Sequence, residues 1–181
     1  YMDMLTDSGV NAMSDRQTAA MHLADDSYAG SQTFARLKAA LKEVFGTDNV
    51  LPAHQGRACE NILAERFVKP GMVAIMNFHF TTTKAHVTRC GGEVVEVLHK
   101  KGLIPQSDDP FKGDMDLQEL RRVIEQYTPE KVAYVRVEAG TNLIGGQPVS
   151  LENMLAVADI CHEYGVPSVL DASLLQDNIY F

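Results

Sequence analysis

Four short apolar runs, set among stretches of helical periodicity, constrain the fold of this chain more than any other feature. Met72 to Met76, Glu93 to Leu98, Val132 to Val137 and Ser168 to Leu170 read as strands, and helical patterns over about Leu117 to Tyr127 and Leu151 to Tyr164 separate the later ones. Parallel neighbours need a crossover that a helix usually supplies, so this alternation predicts an α/β fold with a mostly parallel, doubly wound sheet and helices on both faces. Upstream, Ser14 and Gln17 form a capping-box pattern ahead of one helix, and Phe34, Leu37, Leu41 and Val44 recur at helical spacing in the next. A third helix is predicted over roughly Ala58 to Phe67. Gly102 to Gly113, with Pro105 and Pro110, reads as an exposed loop. At 181 residues and 45% apolar content, one domain with one substantial core is the simplest count.

The charge balance narrows the range of partners. A formal net charge of −8 argues against nucleic acid and against anionic membrane, and no basic tract interrupts it. Cys59, Cys90 and Cys161 are odd in number, widely spaced and without a CxxC pair, which fits reduced thiols better than a disulfide frame or a zinc site. With no leader-like or bilayer-length apolar stretch, the expected location is the cytoplasm.

In an open parallel sheet, ligands lie beyond the carboxyl ends of the strands. Those positions are polar here: Asn77-Phe78-His79-Phe80-Thr81-Thr82-Thr83 after the first strand, Glu138-Ala139-Gly140-Thr141-Asn142 after the third, and Asp171 after the fourth. Leu51 to Glu60 adds a predicted helix start at which backbone amides, Gln55 and Arg57 suit a phosphate. An aromatic ring, an amide and a carboxylate at three strand ends, with an anion site nearby, suggest a phosphorylated planar heterocycle. Pyridoxal phosphate is such a group, and a carboxylate beside its ring nitrogen keeps that nitrogen protonated.

Seven strings along the chain resemble, in order, the aromatic amino-acid β-eliminating lyases, the family of tryptophanase and tyrosine phenol-lyase. They are Leu5-Thr6-Asp7-Ser8-Gly9, Asp26-Ser27-Tyr28-Ala29-Gly30-Ser31, His54-Gln55-Gly56-Arg57, Phe80-Thr81-Thr82-Thr83, Phe111-Lys112-Gly113-Asp114, Asn142 to Ser150, and Asn178-Ile179-Tyr180-Phe181. The resemblance implies the pyridoxal-phosphate fold type I and a role for each matching residue. Gln55, Gly56 and Arg57 would hold the cofactor phosphate, Phe80 would stack on the ring, Asn142 would meet the ring hydroxyl and the substrate carboxylate, and Asp171 would pair with the ring nitrogen. Thr6, Ser8 and Thr81 would line the substrate site. Tyr28 would be the general acid that protonates the departing aromatic ring. Gly9 and Asp26 would sit near a monovalent-cation site, potassium being the candidate ion.

Taken singly, each residue also has a plainer reading. Phe80 suits a core, Asp171 a helix cap, Tyr28 a half-buried tyrosine and Arg57 a surface ion pair. Their joint occurrence at family spacing favours the site roles. His54 and His79 flank the same region, whereas His22, His86, His99 and His162 read as surface or packing residues.

Two departures from the family matter. Leu174 stands where both well-known members carry an arginine, three residues after the ring-nitrogen aspartate, so a positive charge there is missing or comes from elsewhere. Thr81 is like the threonine of tyrosine phenol-lyase, yet His79 to His86 together with Leu174 also resembles divergent tryptophanase-type sequences. The family's Schiff-base lysine is expected beyond Phe181, so the sequence reads as an internal fragment of the cofactor-binding large domain, inactive alone. The resemblance implies that the intact parent is a homotetramer converting tryptophan to indole, pyruvate and ammonia. Tyrosine to phenol is the second reading, a threonine-aldolase-like lyase the third, and an inactive cofactor-binding remnant the non-enzymatic one.

Overall fold

The structure is a computed structural model and describes residues 13–181. By its own packing the chain forms two compact units, residues 1–52 and 53–181.

In the larger unit, the sheet is centred on two strands whose residues are buried throughout, β1 (Val73–Met76) and β3 (Val132–Glu138). The flanking strands β2 (Glu93–Glu96) and β4 (Ser168–Asp171) are only partly buried. All pairings are parallel and the order is β2-β1-β3-β4, so the ends of β1, β3 and β4 lie side by side as the sequence implied. Alternation along the strands divides the core in two. Val73, Ile75, Val135 and Val137 face one cluster, together with Leu120, Val123 and Ile124 of α5 (Leu117–Tyr127) and Val157, Ile160 and Cys161 of α6 (Leu151–Tyr164). Ala74, Met76 and Tyr134 face the other, with Ala64 of α3 (Gly56–Phe67) and Val87 of α4 (Thr81–Arg89). A short α7 (Leu175–Tyr180) follows β4.

Helices α5 and α6 start at side-chain caps. Asp116 caps α5 by accepting from the amides of Gln118 and Glu119; Ser150 caps α6 by accepting from Asn153, and Gly165, at φ +66°, ends it. Neither α4 nor α7 is anticipated by periodicity. The β-branched run Thr81-Thr82-Thr83 is a poor helix former, and α4 starts there because Thr83 and Val87 are buried and both Thr82 and Thr83 donate their hydroxyls to Glu60. The predicted loop from Gly102 to Gly113 is less exposed than expected: Phe111 is half-buried, edge-on to Phe181 at 5.8 Å, and Gly113 is enclosed.

Buried amides and a carboxylate then tie the loops to the sheet. Asn77, fully buried at the end of β1, donates to the carbonyls of Gly113 and Glu138 and to Thr141 Oγ1, and accepts from the Glu138 amide. Asp114 accepts from the amide and hydroxyl of Ser150, and Asn153 exchanges a pair of hydrogen bonds with the backbone of Met115. Asn178 on α7 accepts from the amides of Gly140 and Val149 and donates to the Val149 carbonyl. A Cβ on Gly113 would lie 2.6 Å from both the Gln147 carbonyl and Thr141 Oγ1, so only glycine fits. These contacts give a packing reason for the Phe-Lys-Gly-Asp, Gly-Gly-Gln-Pro-Val-Ser and Asn-Ile-Tyr-Phe strings.

The smaller unit, residues 1–52, holds α1 (Asp15–His22) and α2 (Gln32–Phe45). Ser14 and Gln17 make the reciprocal capping box that the sequence predicts. Asp25 gathers the loop ahead of α2: it accepts from the amides of Gln32 and Thr33 and from the hydroxyls of Ser27 and Ser31. Those bonds, Thr33's foremost, hold its carboxyl well below the usual carboxylate range.

Asn77→Ala would remove the side-chain partner of the buried Glu138 amide and the amide donor to the Gly113 and Glu138 carbonyls, so urea unfolding of the full-length protein should show a loss of about 3 kcal/mol. Gln118→Ala, on the exposed side of α5, should stay within about 0.5 kcal/mol.

Candidate active site

Three of the predicted residues sit at one end of the sheet of the larger unit. Phe80, half-buried, precedes the first turn of α4 just beyond β1; Asn142 opens a 3-10 turn beyond β3; Asp171 is the last residue of β4 and pairs in register with Glu138. The Ala139 amide donates to the Asp171 carbonyl at 3.1 Å, joining the β3 and β4 ends directly. Parallel direction alone would bring these residues to a common rim. Short loops that cannot stray complete the arrangement.

The phosphate candidates stand at the start of α3, which begins at Gly56, two residues before the expected Ala58. Gln55 is its N-cap in extended conformation (φ −167°), its side chain does not cap the helix, and Gln55, Gly56 and Arg57 are all exposed. Glu60, one turn on, accepts from Thr82 and Thr83 of α4, so the start of α3 lies beside the start of α4, immediately after Phe80 and Thr81. Thr81 is exposed at that junction.

Asp171 is more than a turn-forming residue. Its Oδ1 accepts from the Ser173 amide at 3.0 Å and the Ser173 hydroxyl at 2.5 Å, while Oδ2 takes the Arg136 guanidinium at 2.5 Å. Burial alone would raise its pKa, but Arg136 and the Ser173 hydrogen bonds outweigh it and hold the carboxyl below its ordinary value. Asp171 is therefore ionised throughout the neutral range.

Periodicity gave no role to Arg136 and Glu138. Both are almost fully buried on β3, two residues apart and so on one face, continuing the side that carries Met76 and Tyr134. Arg136 Nη1 lies 3.5 Å from Glu138 Oε2, and neither atom has a hydrogen-bond partner. Glu138 accepts from the backbone amide of Asn142, and burial pushes its carboxyl above the ordinary range, with Arg136 pulling the other way. The signal was present in Val132-Ala-Tyr-Val-Arg-Val-Glu138: two charges at a spacing of two in a strand otherwise fit for a core.

The remaining candidates fall elsewhere. Tyr28 and Asp26 belong to the smaller unit, on the loop that Asp25 gathers; Tyr28 is fully exposed rather than half-buried, and Asp26 is exposed too. Thr6, Ser8 and Gly9 lie outside the described residues. Of the flanking histidines, His79 stacks on Phe78 and makes a short contact to Glu96, and His54 is exposed. Among the described residues no helix is long and apolar enough to cross a membrane, and no cluster of three or more His, Cys, Asp or Glu side chains could hold a metal ion.

Solved structures share this fold at low sequence identity. Alanine aminotransferase from Pyrococcus furiosus superposes with a TM-score of 0.64 at 16% identity, over 86% of this chain and 38% of its own. Cystalysin from Treponema denticola, whose crystal structure contains a pyridoxal 5'-phosphate cofactor, gives 0.61 at 13% identity, over 85% and 38%. The fold is thus the α/β fold type I of pyridoxal-phosphate enzymes. In sequence, tyrosine phenol-lyases from Clostridium tetani and Nostoc punctiforme are each 42% identical over all 181 residues, and that from Pasteurella multocida is 40% identical. The chain spans about two fifths of the length of these curated relatives. The beta-eliminating lyase profile matches residues 3–179, nearly the whole sequence, and the chain belongs to that family.

Proposed function

We propose that the full-length protein is a pyridoxal-phosphate-dependent lyase that cleaves the bond between the β-carbon and the aromatic group of an amino acid, with tyrosine giving phenol, pyruvate and ammonia. The observation that carries this reading is Asp171, ionised at the end of β4 and oriented by Arg136 and Ser173, beside the ends of the strands that lead to Asn142 and Phe80. The donor set fits the cofactor. Backbone amides at the start of α3, with Gln55 and Arg57, match its phosphate; Phe80 matches its ring face, Asn142 its hydroxyl and Asp171 its nitrogen. When bound, the protonated pyridine ring supplies an electron sink for the pair released at the substrate's α-carbon.

This chain's residues would then act by position and charge. Asp171 keeps the ring nitrogen protonated, Asn142 and Thr81 orient the ring and substrate, and Thr6 and Ser8 receive the amino-acid end. Tyr28, on a loop gathered by Asp25, donates the proton to the departing aryl carbon, which a phenol does only when held against its acceptor. Gly9 and Asp26 contribute to a monovalent-cation site. The chain then forms much of the cofactor-binding large domain of a cytoplasmic homotetramer.

The choice of tyrosine corrects the first reading of the sequence, which put tryptophan ahead, and it follows the names of the relatives. Tryptophan is retained as a second reading on one observation, the His79 to His86 string with Leu174, which resembles divergent tryptophanase-type sequences.

Full-length protein supplied with pyridoxal phosphate should release phenol and pyruvate from L-tyrosine. Indole from L-tryptophan would select the second reading, glycine from L-threonine the aldolase-like one, and cofactor binding without any product a binding remnant. Given activity, Asp171→Ala should lower kcat by about 100-fold or more. Tyr28→Phe should lower it by about 100-fold or more, with pyridoxal-phosphate affinity unchanged, as titration of cofactor fluorescence would show.

A further inference from the structure

Arg136 orients Asp171, but the buried carboxylate beside it on β3, Glu138, has no place in the roles described so far. Arg136 and Glu138 have side chains only 4% and 6% exposed, in the middle of the sheet, where an ion is retained only when it is paired. Arg136 is shared between two carboxylates: it bonds Asp171 at 2.5 Å and stands 3.5 Å from Glu138. Glu138 in turn accepts from the Asn142 amide. One buried network therefore runs from the residue assigned to the ring nitrogen to the residue assigned to the ring hydroxyl. Glu60, close enough to Glu138 to act on it electrostatically, adds a third carboxylate, already bonded to Thr82 and Thr83.

The position three residues after Asp171 is Leu174, which carries no charge. Leu174 lies against Gly140, which has φ +73°, so tightly that a Cβ there would come within 2.8 Å of the Leu174 Cβ. The only guanidinium paired with Asp171 among the described residues comes from the neighbouring strand.

We propose that Arg136 and Glu138 are positioning residues for the cofactor ring: Arg136 fixes Asp171, Glu138 fixes the Asn142 backbone, and the surplus of carboxylates over guanidinium favours a cationic ring nitrogen. The inference rests on the pyridoxal-phosphate reading above. With Arg136 set against Asp171 and Glu138, the three side chains carry one excess negative charge when both carboxylates are ionised, and a pyridinium proton neutralises it. A ring without that nitrogen offers no such match.

The test uses the full-length apoprotein and two probes, pyridoxal phosphate and its benzene analogue, which keeps the aldehyde, hydroxyl and phosphate but lacks the ring nitrogen. Glu138→Gln keeps an acceptor for the Asn142 amide and removes the charge. It should weaken pyridoxal phosphate by about tenfold and leave the benzene analogue within about twofold of wild type. An equal loss for both probes, or for neither, would overturn the proposal, because a merely structural role does not distinguish the rings. Arg136→Lys, which keeps one charge but loses the two-pronged fork, is read in the same way if Glu138→Gln does not fold. Wild-type protein that binds neither probe would instead refute the pyridoxal-phosphate reading itself.

Discussion

A guanidinium buried in the central strand sets the terms for one end of this sheet. Arg136 is 3% exposed, and an unpaired cation at that depth would cost several kcal/mol, so the structure must bring carboxylates to it. Asp171 comes from β4 and Glu138 from β3 itself. The pairing with Asp171 spans two strands, which makes the relative height of β3 and β4 an electrostatic matter as well as one of backbone hydrogen bonds. A slip of one residue in that register would turn Asp171 to the other face of the sheet. The same bond therefore stabilises the edge strand and orients the carboxylate that the proposed chemistry needs.

Around that pairing, neutral amides hold the loops. Asn77 saturates its side chain between β1, β3 and the Gly113 turn, and half-buried Asn178 links α7 to Gly140 and Val149. A buried amide with every donor and acceptor used is directional, so it fixes a loop in one arrangement where apolar packing would tolerate several. Residues beyond the strand ends are thereby held by the core instead of by their own short loops. Asn142 has Thr141 just before it, whose hydroxyl accepts from Asn77, and its own amide bonds Glu138.

Much of this was legible in the sequence, and the part that was not has physical causes. The four strands followed from their apolar runs and the helices α5 and α6 from periodicity, most plainly where β1, β3 and both helices bury residues in the core. The rim residues Phe80, Asn142 and Asp171 followed from the rule that parallel strand ends carry the site. Helix α4 escaped because its first turn is three threonines, held by Glu60 from a separate helix, a contact no local pattern contains. Arg136 and Glu138 were visible as charges, but their partners are far apart in sequence, 35 residues in the case of Arg136 and Asp171. Several family strings proved to be packing devices, with Gly113 and Asn178 as examples, so resemblance in sequence marked loop architecture as much as chemistry.

Leu174 shows how such a site can do without a charge in the loop after β4. It is pressed onto Gly140, whose left-handed conformation and missing Cβ make the close approach possible. The charge that meets Asp171 stands inside β3, where it reaches the carboxylate directly and is shielded from water. A cation in a central strand carries a desolvation cost that a second buried carboxylate helps to offset, which is a physical reason for Glu138 to stand two residues from Arg136. On this argument Leu174, Gly140, Arg136 and Glu138 form one coupled set. With Arg136 already paired to Asp171, an arginine at position 174 alone would duplicate a charge the carboxylate has, so it should add little to the orientation of Asp171.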